Sequence, residues 1–534
     1  MKVLTAAAMR EADRRTIEEL GLPGIVLMEN AAMRTAEAVG SLLPAPEQVL
    51  IVAGPGNNGG DGLAAARLLE QAGYRVSLWT TVPPQGYRGD AAVNYEYLRH
   101  SNFVVKHILD YEALEKFRGD LERAALVVDA IFGTGLDRPV EGLPAGVIEA
   151  VNEGPAPVLA VDLPSGIEAD SGKVLGVAVR AQWTVCLAFP KPGLLQHPGA
   201  GLAGEVAVGA INIPSFLVAQ EQAAVATAER LCKLLPPRPP VAHKGSFGRV
   251  LVVAGSTGMG GAAVLASTAA LRGGAGLVYL AAPASLCPAL EAQLCEVIVV
   301  PLPECAPGII GPEGAELLLE KAGGCDLLAA GPGLAPVQET AVLIKQLLRR
   351  TPLPVVLDAG ALGALALLPE KERGPLLREA EQAVVLTPHP GEMAALCGLD
   401  AAEIQQDRPG IASRFAREWG CVLLLKGAGT ICASPGGEVC FNPTGGPALA
   451  TAGTGDLLTG LLASLIAQGM APFEAAAAAA YLHGLAGDLL PPGRGFIAGD
   501  ILERFPEAFQ RLHEEAKRVS PRGPLHRSLR PARA

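Results

Sequence analysis

Residues 49–62 read Val49-Leu50-Ile51-Val52-Ala53-Gly54-Pro55-Gly56-Asn57-Asn58-Gly59-Gly60-Asp61-Gly62, and this stretch decides the fold of the N-terminal half. Its apolar run predicts a strand buried on both faces, as in a parallel sheet. The glycines that follow let the backbone approach a ligand closely, and a helix is predicted over 63–72. A strand, a glycine-rich turn and a helix form the repeating unit of doubly wound α/β sheets, which bind ligands at the carboxyl ends of their strands.

The same pattern recurs along the whole chain. Short apolar runs alternate with helical stretches, so the fold class is predicted to be α/β throughout. Further parallel strands are predicted at 125–129, 158–162, 250–254, 327–330, 354–358, 384–386 and 422–425.

The length of 534 residues predicts more than one domain. A break is expected near 235–240, where four prolines in six residues rule out a helix interior or a central strand. We predict a first domain over 1–220, a second over 228–515 and a disordered basic tail over 516–534. An acidic partner for the tail is an open alternative.

Composition excludes several classes of protein. The net charge of −11 argues against a nucleic-acid partner. We find no apolar stretch of about 18 residues and therefore expect no membrane span, and the N-terminal apolar stretch is too short for a signal peptide. The ten cysteines contain no CxxC pair, which indicates reduced thiols and a cytoplasmic protein. The oligomeric state stays open, a homo-oligomer included.

Polar residues follow three predicted strands of the first domain. Asn58 lies in the glycine-rich turn, Asp129 ends one strand, and Ser165 comes shortly after Asp162 at the end of another. Because the carboxyl ends of parallel strands share one rim, these oxygen atoms could hold a weakly charged monovalent cation. Helix capping or turn formation is the alternative explanation for Asp129 and Asp162.

The first domain resembles the NAD(P)H-hydrate epimerase family. The resemblance lies in residues 24–31, 54–62, 128–135 and 161–166. It implies a Rossmann-like three-layer fold that interconverts the R and S epimers of NADH or NADPH hydrated on the nicotinamide ring. It also implies a catalytic role for Asp162 and a potassium ion on Asn58, Asp129 and Ser165. The implied substrate residues are Asn57, Asn58, Gly59, Gly60, Asp61, Gly133, Thr134, Gly135, Leu136, Asp137, Arg138, Pro139 and Asp162.

The hexapeptide Thr451-Ala452-Gly453-Thr454-Gly455-Asp456 carries the chemistry of the second domain. A glycine-rich turn that opens a buried helix offers free N–H groups and the positive end of the helix dipole to an anion. A carboxylate beside such a site suits a base that deprotonates a hydroxyl attacking a phosphate. The motif therefore predicts phosphoryl transfer to an alcohol. The alternative is a helix start with small residues for close packing.

The order of motifs in this domain resembles the ribokinase-like superfamily. Within it, residues 243–248, 387–392, 426–430 and 442–456 are similar to the ADP-dependent NAD(P)H-hydrate dehydratases. The resemblance implies that ADP, with Mg²⁺ on its phosphates, drives dehydration of the S epimer to NAD(P)H, AMP and phosphate, with Asp456 as catalytic base. The implied substrate residues are Ala262, Gly333, His389 and Asp456, and the implied nucleotide residues are Lys426, Gly427, Ala428, Gly429, Thr430 and Gly455.

Two other functions remain open at this point. The second domain could be a small-molecule kinase that releases a stable phosphorylated product, and the first could bind a ligand without catalysis. Individual residues also have simpler explanations, since His389 between two prolines suits a rigid turn and Lys426 could be a surface lysine. Ala335 departs from the glycine expected in the loop after Gly333.

Overall fold

The computed structural model describes residues 1–518 and 525–528. These form two compact units, one comprising Met1–Ala223 with the C-terminal strand and the other beginning at Ala224. No helix in the described part of the chain is long and apolar enough to cross a bilayer. Each unit is built on its own sheet.

The first unit has one eight-stranded sheet in the order β20-β7-β6-β5-β4-β1-β2-β3. Its strands are β1 (Gln48–Ala53), β2 (Arg75–Thr80), β3 (Val105–His107), β4 (Leu126–Ala130), β5 (Val158–Val161), β6 (Trp183–Leu187), β7 (Glu205–Gly209) and β20 (Leu525–Ser528). Its helices are α1 (Ala6–Glu18), α2 (Gly24–Leu42), α3 (Asn57–Gln71), α4 (Gly89–His100), α5 (Tyr111–Leu121), α6 (Gly142–Glu153) and α7 (Gly199–Leu202). Strands β1 to β7 pair in parallel, and β20 is antiparallel to β7.

Helices cover both faces of this sheet, as the opening motif predicts. In β1, Val49 and Ile51 belong to one apolar core, whereas Leu50 and Val52 belong to another. Side chains alternate between the two faces of a strand, so every residue of this run is apolar.

The second unit has a ten-stranded sheet in the order β11-β10-β9-β14-β15-β16-β17-β18-β19-β8 and a separate hairpin, β12-β13. Its strands are β8 (Ala223–Val225), β9 (Arg249–Val253), β10 (Leu277–Pro283), β11 (Ile298–Leu302), β12 (Glu304–Ala306), β13 (Ile309–Ile310), β14 (Leu327–Ala330), β15 (Val355–Leu357), β16 (Val384–Leu386), β17 (Val422–Leu425), β18 (Ile431–Ala433) and β19 (Val439–Phe441). Its helices are α8 (Ala228–Leu234), α9 (Gly260–Arg272), α10 (Cys287–Glu291), α11 (Ala315–Ala322), α12 (Gln338–Arg350), α13 (Ala359–Ala366), α14 (Glu370–Arg378), α15 (Pro390–Cys397), α16 (Ala401–Gln406), α17 (Arg408–Trp419), α18 (Thr454–Ala467), α19 (Pro472–Asp488), α20 (Ala498–Glu503) and α21 (Phe505–Arg518). The predicted strands of this domain are present and pair in parallel from β11 to β17, which confirms the α/β fold class.

Three details of the sequence prediction are corrected. The helix predicted over 63–72 begins six residues earlier, at Asn57, because the glycines of the turn form the first turns of α3. The proline-rich stretch 235–240 lies inside the second unit, where Arg238 donates to the carbonyl of Gly274 and stacks on Phe247. The predicted disordered tail is wrong at 516–518, which end α21, and at 525–528, which form β20. The rest of the tail lies outside the described residues.

Helix α3 lies unusually close to the sheet because Gly62 has no side chain. A β-carbon at this position would lie 2.6 Å from the β-carbon of Ala130, whereas one at Gly119, exposed in the last turn of α5, would meet nothing within 4 Å. The two glycines therefore differ in packing but share a helical backbone.

We predict opposite effects of alanine at these two sites. Gly62→Ala should lower the free energy of unfolding by about 1–3 kcal/mol through overpacking, and Gly119→Ala should raise it by about 0.5–1 kcal/mol through helix propensity. Urea unfolding followed by tryptophan fluorescence measures this in a Trp419→Phe background, since Trp79 and Trp183 then report on the first unit alone. Equal effects of the two substitutions would contradict the packing argument.

Candidate active sites

A cavity of about 650 Å³ opens at the carboxyl ends of the strands in the first unit. A cavity of this volume has the size of a small-molecule site. Most of the predicted substrate residues line it, namely Asn57, Asn58, Asp61, Gly133, Thr134, Gly135, Leu136, Asp137, Arg138 and Asp162. Gly59 and Gly60 instead face protein, since a β-carbon would lie 1.9 Å from the carbonyl oxygen of Gly54 or 2.6 Å from Met28. Pro139 is not among the lining residues.

Asp129 and Ser165 are joined at this rim. The Ser165 hydroxyl donates to Oδ1 of Asp129 at 2.6 Å, and its backbone N–H donates to Oδ2 at 2.8 Å. Burial raises the pKa of Asp129 to about 6, although Ser165 and the N–H of Ile131 oppose the rise. Asn58 lies beside Gly133, and its side-chain oxygen and nitrogen are buried without a hydrogen-bond partner. An unpartnered buried amide calls for a ligand or a water molecule.

Asp162 forms a buried ion pair with Lys191. Its Oδ1 accepts from the Lys191 ammonium and, at 3.0 Å, from the N–H of Leu187. Burial lowers the pKa of Lys191, but the attraction of Asp162 outweighs it and the pKa lies above its ordinary value. Asp162 has a positive φ of 67°, which a non-glycine residue adopts only when its surroundings hold it.

Sequence reasoning missed two residues of this cavity, Lys191 and Asp13. A lysine between two prolines, directly after an apolar run, was the available signal for Lys191. Asp13 carried no such signal in the sequence, because it lies among the charged residues of α1, which resemble a solvated helix face. Burial raises the pKa of Asp13 to about 6, with Lys191 opposing and Asp162 adding to the rise.

In the second unit, Asp358 joins three elements around the predicted anion site. It is 1% exposed and follows β15. Its Oδ1 accepts from Nζ of Lys426 at 2.6 Å, and its Oδ2 accepts from the hydroxyl of Thr459 at 2.6 Å. Lys426 is thus no surface lysine, and Asp358 is a site residue that sequence reasoning did not select. A carboxylate at the end of a predicted strand was the signal for it.

Helix α18 begins beside this ion pair. Gly453 caps it with a φ of +90°, and a β-carbon at Gly455 would lie 3.6 Å from Nζ of Lys426. Asp456, in the first turn, is half-buried. Burial raises the pKa of Asp456 to about 7; Asp358 adds to the rise and Lys426 opposes it. A carboxyl with this pKa exchanges protons readily near neutral pH.

Arg408 holds the predicted nucleotide loop, 426–430, through hydrogen bonds to its backbone. This buried guanidinium donates to the carbonyls of Ala428 at 2.6 Å and of Leu425 and Lys426 at 3.2 Å. Burial lowers its pKa to about 10. Gly427 and Gly429 have φ angles of +145° and +67°, and the hydroxyl of Thr430 donates to Gly427. The loop is therefore preformed.

The remaining predicted substrate residues fall in two places. Ala262 and Gly333 adjoin, since a β-carbon at Gly333 would lie 3.1 Å from that of Ala262. His389 is exposed and caps α15, its Nδ1 accepting from the N–H groups of Gly391 and Glu392. On the other side of the ring, Nε2 lies 3.6 Å from Oε1 of Glu392. His389 is thus an exposed capping residue at the start of α15, which agrees with the simpler explanation of a rigid turn.

Both parts of the chain match known families. A family model described as NAD(P)H-hydrate dehydratase matches residues 250–505, and one described as YjeF-related protein N-terminus matches residues 24–193. The bifunctional NAD(P)H-hydrate repair enzyme Nnr of Moorella thermoacetica is 45% identical over 97% of this chain and 98% of its own length. The enzyme of the same name from Escherichia coli is 32% identical, with 96% of each chain covered.

A solved structure is similar to the second part of the chain. It is the ADP/ATP-dependent NAD(P)H-hydrate dehydratase from Bacillus subtilis co-crystallized with ATP/Mg²⁺, which is 31% identical with a TM-score of 0.46. The match covers 54% of this chain and 98% of that one.

We predict that Arg408→Met loosens the 426–430 loop. Three carbonyl groups would lose their donor, and each unsatisfied buried group costs about 1–3 kcal/mol. Hydrogen exchange of the loop amides should accelerate at least tenfold. Arg414→Met, on the same helix, is the matched control, because Arg414 pairs with Glu418 at the surface and stacks on Phe415, and neither contact involves the loop. Equal protection in both variants would show that Arg408 does not hold the loop.

Proposed function

The chain belongs to the family of bifunctional NAD(P)H-hydrate repair enzymes, and on this premise we propose where each of its two reactions takes place. The protein repairs hydrated NADH and NADPH through NAD(P)H-hydrate epimerase and NAD(P)H-hydrate dehydratase activities. Epimerisation is assigned to the cavity of the first unit. Dehydration is assigned to the start of α18 in the second unit.

The observation that carries the dehydratase assignment is Asp456 beside a helix N-terminus and a buried lysine. Asp456 would take the proton of the substrate hydroxyl as the oxygen attacks the phosphoryl group. The N–H groups of residues 453–455 and the Lys426 ammonium would stabilise the negative charge that develops there. Phosphate then leaves from the resulting ester with the electrons of its C–O bond, and loss of a ring proton restores the double bond.

Asp358 would keep Lys426 in place for this reaction. Asp358 is buried and the Lys426 side chain is only 18% exposed, so the ammonium cannot move away without leaving a buried carboxylate unpaired. Thr459 ties the same carboxylate to α18, one turn beyond Gly455, and its hydroxyl also lies 3.2 Å from the Gly455 carbonyl. The phosphate-binding turn and the lysine are therefore one connected unit.

Magnesium would be carried by the nucleotide phosphates. Among the residues that the structure describes, no three His, Cys, Asp or Glu side chains converge on a metal site. Mg²⁺ commonly binds through phosphates, waters and one or two carboxylates. An ion carried by the nucleotide therefore needs no cluster of three protein ligands. Bound there, it would neutralise phosphate charge.

The epimerase cavity fits a potassium ion at Asn58, Asp129 and Ser165. Asp129 is a fully buried carboxyl whose raised pKa is opposed only by neutral donors, the hydroxyl and N–H of Ser165 and the N–H of Ile131. The unpartnered amide of Asn58 adds an oxygen without adding charge. One carboxylate, one amide and one hydroxyl suit a monovalent cation. Bound there, it would neutralise Asp129 and fix the 133–135 loop beside Asn58.

The phosphate donor is proposed to be ADP, with AMP as the product. The nucleotide loop and the turn at Gly455 adjoin at Lys426, so little length separates the two sites. Three carboxylates, Asp358, Glu392 and Asp456, lie within electrostatic reach of Lys426, and they would repel the additional phosphate of ATP.

The ten cysteines are all free thiols, which fits the cytoplasm that we propose for the protein.

The donor is tested by incubating the protein with hydrated NADH and either ADP or ATP, while the absorbance band of NADH is followed. We expect kcat/KM to be higher with ADP, with equal amounts of AMP and inorganic phosphate formed. A higher kcat/KM with ATP would refute the ADP assignment. A stable phosphorylated product would refute the dehydration route.

Asp456→Asn should lower kcat of dehydration by about 10²- to 10⁴-fold, as loss of a general base does. In the unaltered protein, kcat/KM should rise with pH up to about 7 and then level off, because only the ionised carboxyl accepts a proton. The rise should vanish in the variant. Glu339→Gln, at an exposed acid in the first turn of α12, is the control and should keep both rate and profile. A variant with unchanged turnover would exclude Asp456 as the base.

A further inference from the structure

The epimerase reaction requires two proton transfers that the residues assigned above do not supply. Hydration of an enamine places hydrogen on the carbon β to nitrogen and the hydroxyl on the carbon bonded to nitrogen. That carbon is the one whose configuration changes. Inverting it by exchange of the hydroxyl needs an acid for the departing oxygen and a base for the water that arrives on the other face.

Among the ionisable side chains that line the cavity of the first unit, four act on one another through their charges. Asp13 comes from α1, Asp61 from α3, Asp162 from the end of β5 and Lys191 from the segment after β6. Their charges act on one another: Asp162, Asp13 and Lys191 all influence Asp61, and Lys191 and Asp162 both influence Asp13. Four separate elements thus bring three carboxyls and one ammonium to one site.

One carboxyl of this cluster is committed to a different task. Asp162 is paired with Lys191, which also donates to the carbonyl of Leu187 at 2.9 Å. A proton on Asp162 would break this pair and leave the buried ammonium without its partner, which is costly. Asp162 is therefore suited to stabilise positive charge on the substrate and is poorly suited to carry protons.

Asp13 and Asp61 are the two other carboxyls of this coupled cluster. We propose that they form the acid–base pair of the epimerase reaction, one protonating the departing hydroxyl and the other deprotonating the water that replaces it. The proposal rests on the placement of this reaction in the first unit. It adds Asp13, which lies outside the 24–193 range of the matched family model.

The step balances without any oxidant or further reactant. The acid gives its proton to the hydroxyl, and the C–O bond breaks with its electron pair leaving on water. The ring nitrogen supplies its lone pair to form a C=N bond, so the ring becomes a cation. Water then adds to the opposite face, the C=N electrons return to nitrogen, and the second carboxyl takes the proton. The pair has exchanged roles and is ready for the reverse direction.

The surroundings give the two carboxyls different protonation states. Asp61 is fully buried, and both its burial and the neighbouring Asp162 and Asp13 raise its pKa well above the ordinary value. Asp13 is only half-buried, with a pKa of about 6. Burial thus favours the protonated form more strongly at Asp61 than at Asp13, so we assign Asp61 as the acid and Asp13 as the base. The ring cation would lie among the carboxylates of Asp13 and Asp162, which stabilise it.

The test uses the full-length protein without nucleotide, so that only interconversion of the R and S hydrates occurs, followed by chromatography. Asp13→Asn and Asp61→Asn should each lower the interconversion rate above the uncatalysed background by about 10²- to 10⁴-fold. Glu11→Gln, at an exposed acid on the same helix paired with Arg14, should not change it. Dehydration of the S hydrate on adding ADP checks that the second unit of each variant is folded and active. Hydrogen exchange of the amides of residues 57–71 checks that its first unit is folded.

The pH profile and isotope labelling distinguish proton transfer from a structural role. In the unaltered protein the rate should fall below pH 6 as Asp13 becomes protonated, with Asp61, Asp162 and Lys191 as the charged groups facing it. In Asp13→Asn the low-pH fall should disappear. In H₂¹⁸O each inversion should place one ¹⁸O on the product.

Three results would overturn the assignment of Asp13 and Asp61 as the acid–base pair. They are an Asp13→Asn rate within threefold of the unaltered protein, a retained fall below pH 6 in that variant, and inversion without ¹⁸O. An unaltered protein that fails to interconvert the hydrates, while its second unit dehydrates the S form, would instead refute the placement of the reaction in the first unit.

Discussion

Contact between backbones at glycine is the constraint on which both active sites depend. At Gly59 a β-carbon would lie 1.9 Å from the carbonyl oxygen of Gly54, and at Gly331 it would lie 1.7 Å from that of Asp358. Any side chain at these points would push the turn away from its neighbour. Only because the turns are so close do the helix N-termini and the strand-end carboxyls face the same small volume.

The two units use a similar ion pair at this rim. In each, an aspartate directly after one parallel strand accepts from a lysine that follows another strand: Asp162 with Lys191, and Asp358 with Lys426. Buried pairs of this kind contribute little net stability, because desolvation opposes the attraction. Their role is to fix the position of the lysine ammonium. Each holds a cation within the electrostatic reach of carboxyls that must change protonation, namely Asp13 and Asp61 in the first unit and Asp456 in the second.

Protonation is tuned in both sites by burial, and neighbouring charges modify it. Asp456 reaches a pKa of about 7 and Asp13 one of about 6, and in both cases burial is the largest cause. Burial also lowers the pKa of Arg408, to about 10, and this guanidinium has a structural role, donating to three carbonyls at the nucleotide loop. The chemistry of the protein thus depends on how deeply a few polar groups are placed in α/β cores.

The parallel strands, the glycine-rich turns and the motifs of 54–62 and 451–456 could be predicted from the residues alone, because these features depend on local apolar runs and on residues without side chains. The α/β fold followed from them, and the repair of nicotinamide hydrates followed from family resemblance. Three other features became visible only in the folded chain: Asp13 shares a cavity with Asp61, Lys191 pairs with Asp162, and Asp358 links Lys426 to α18. A pairing between elements far apart in the chain leaves no periodicity or local spacing in the sequence, and burial shifts a pKa only once the surrounding elements have packed.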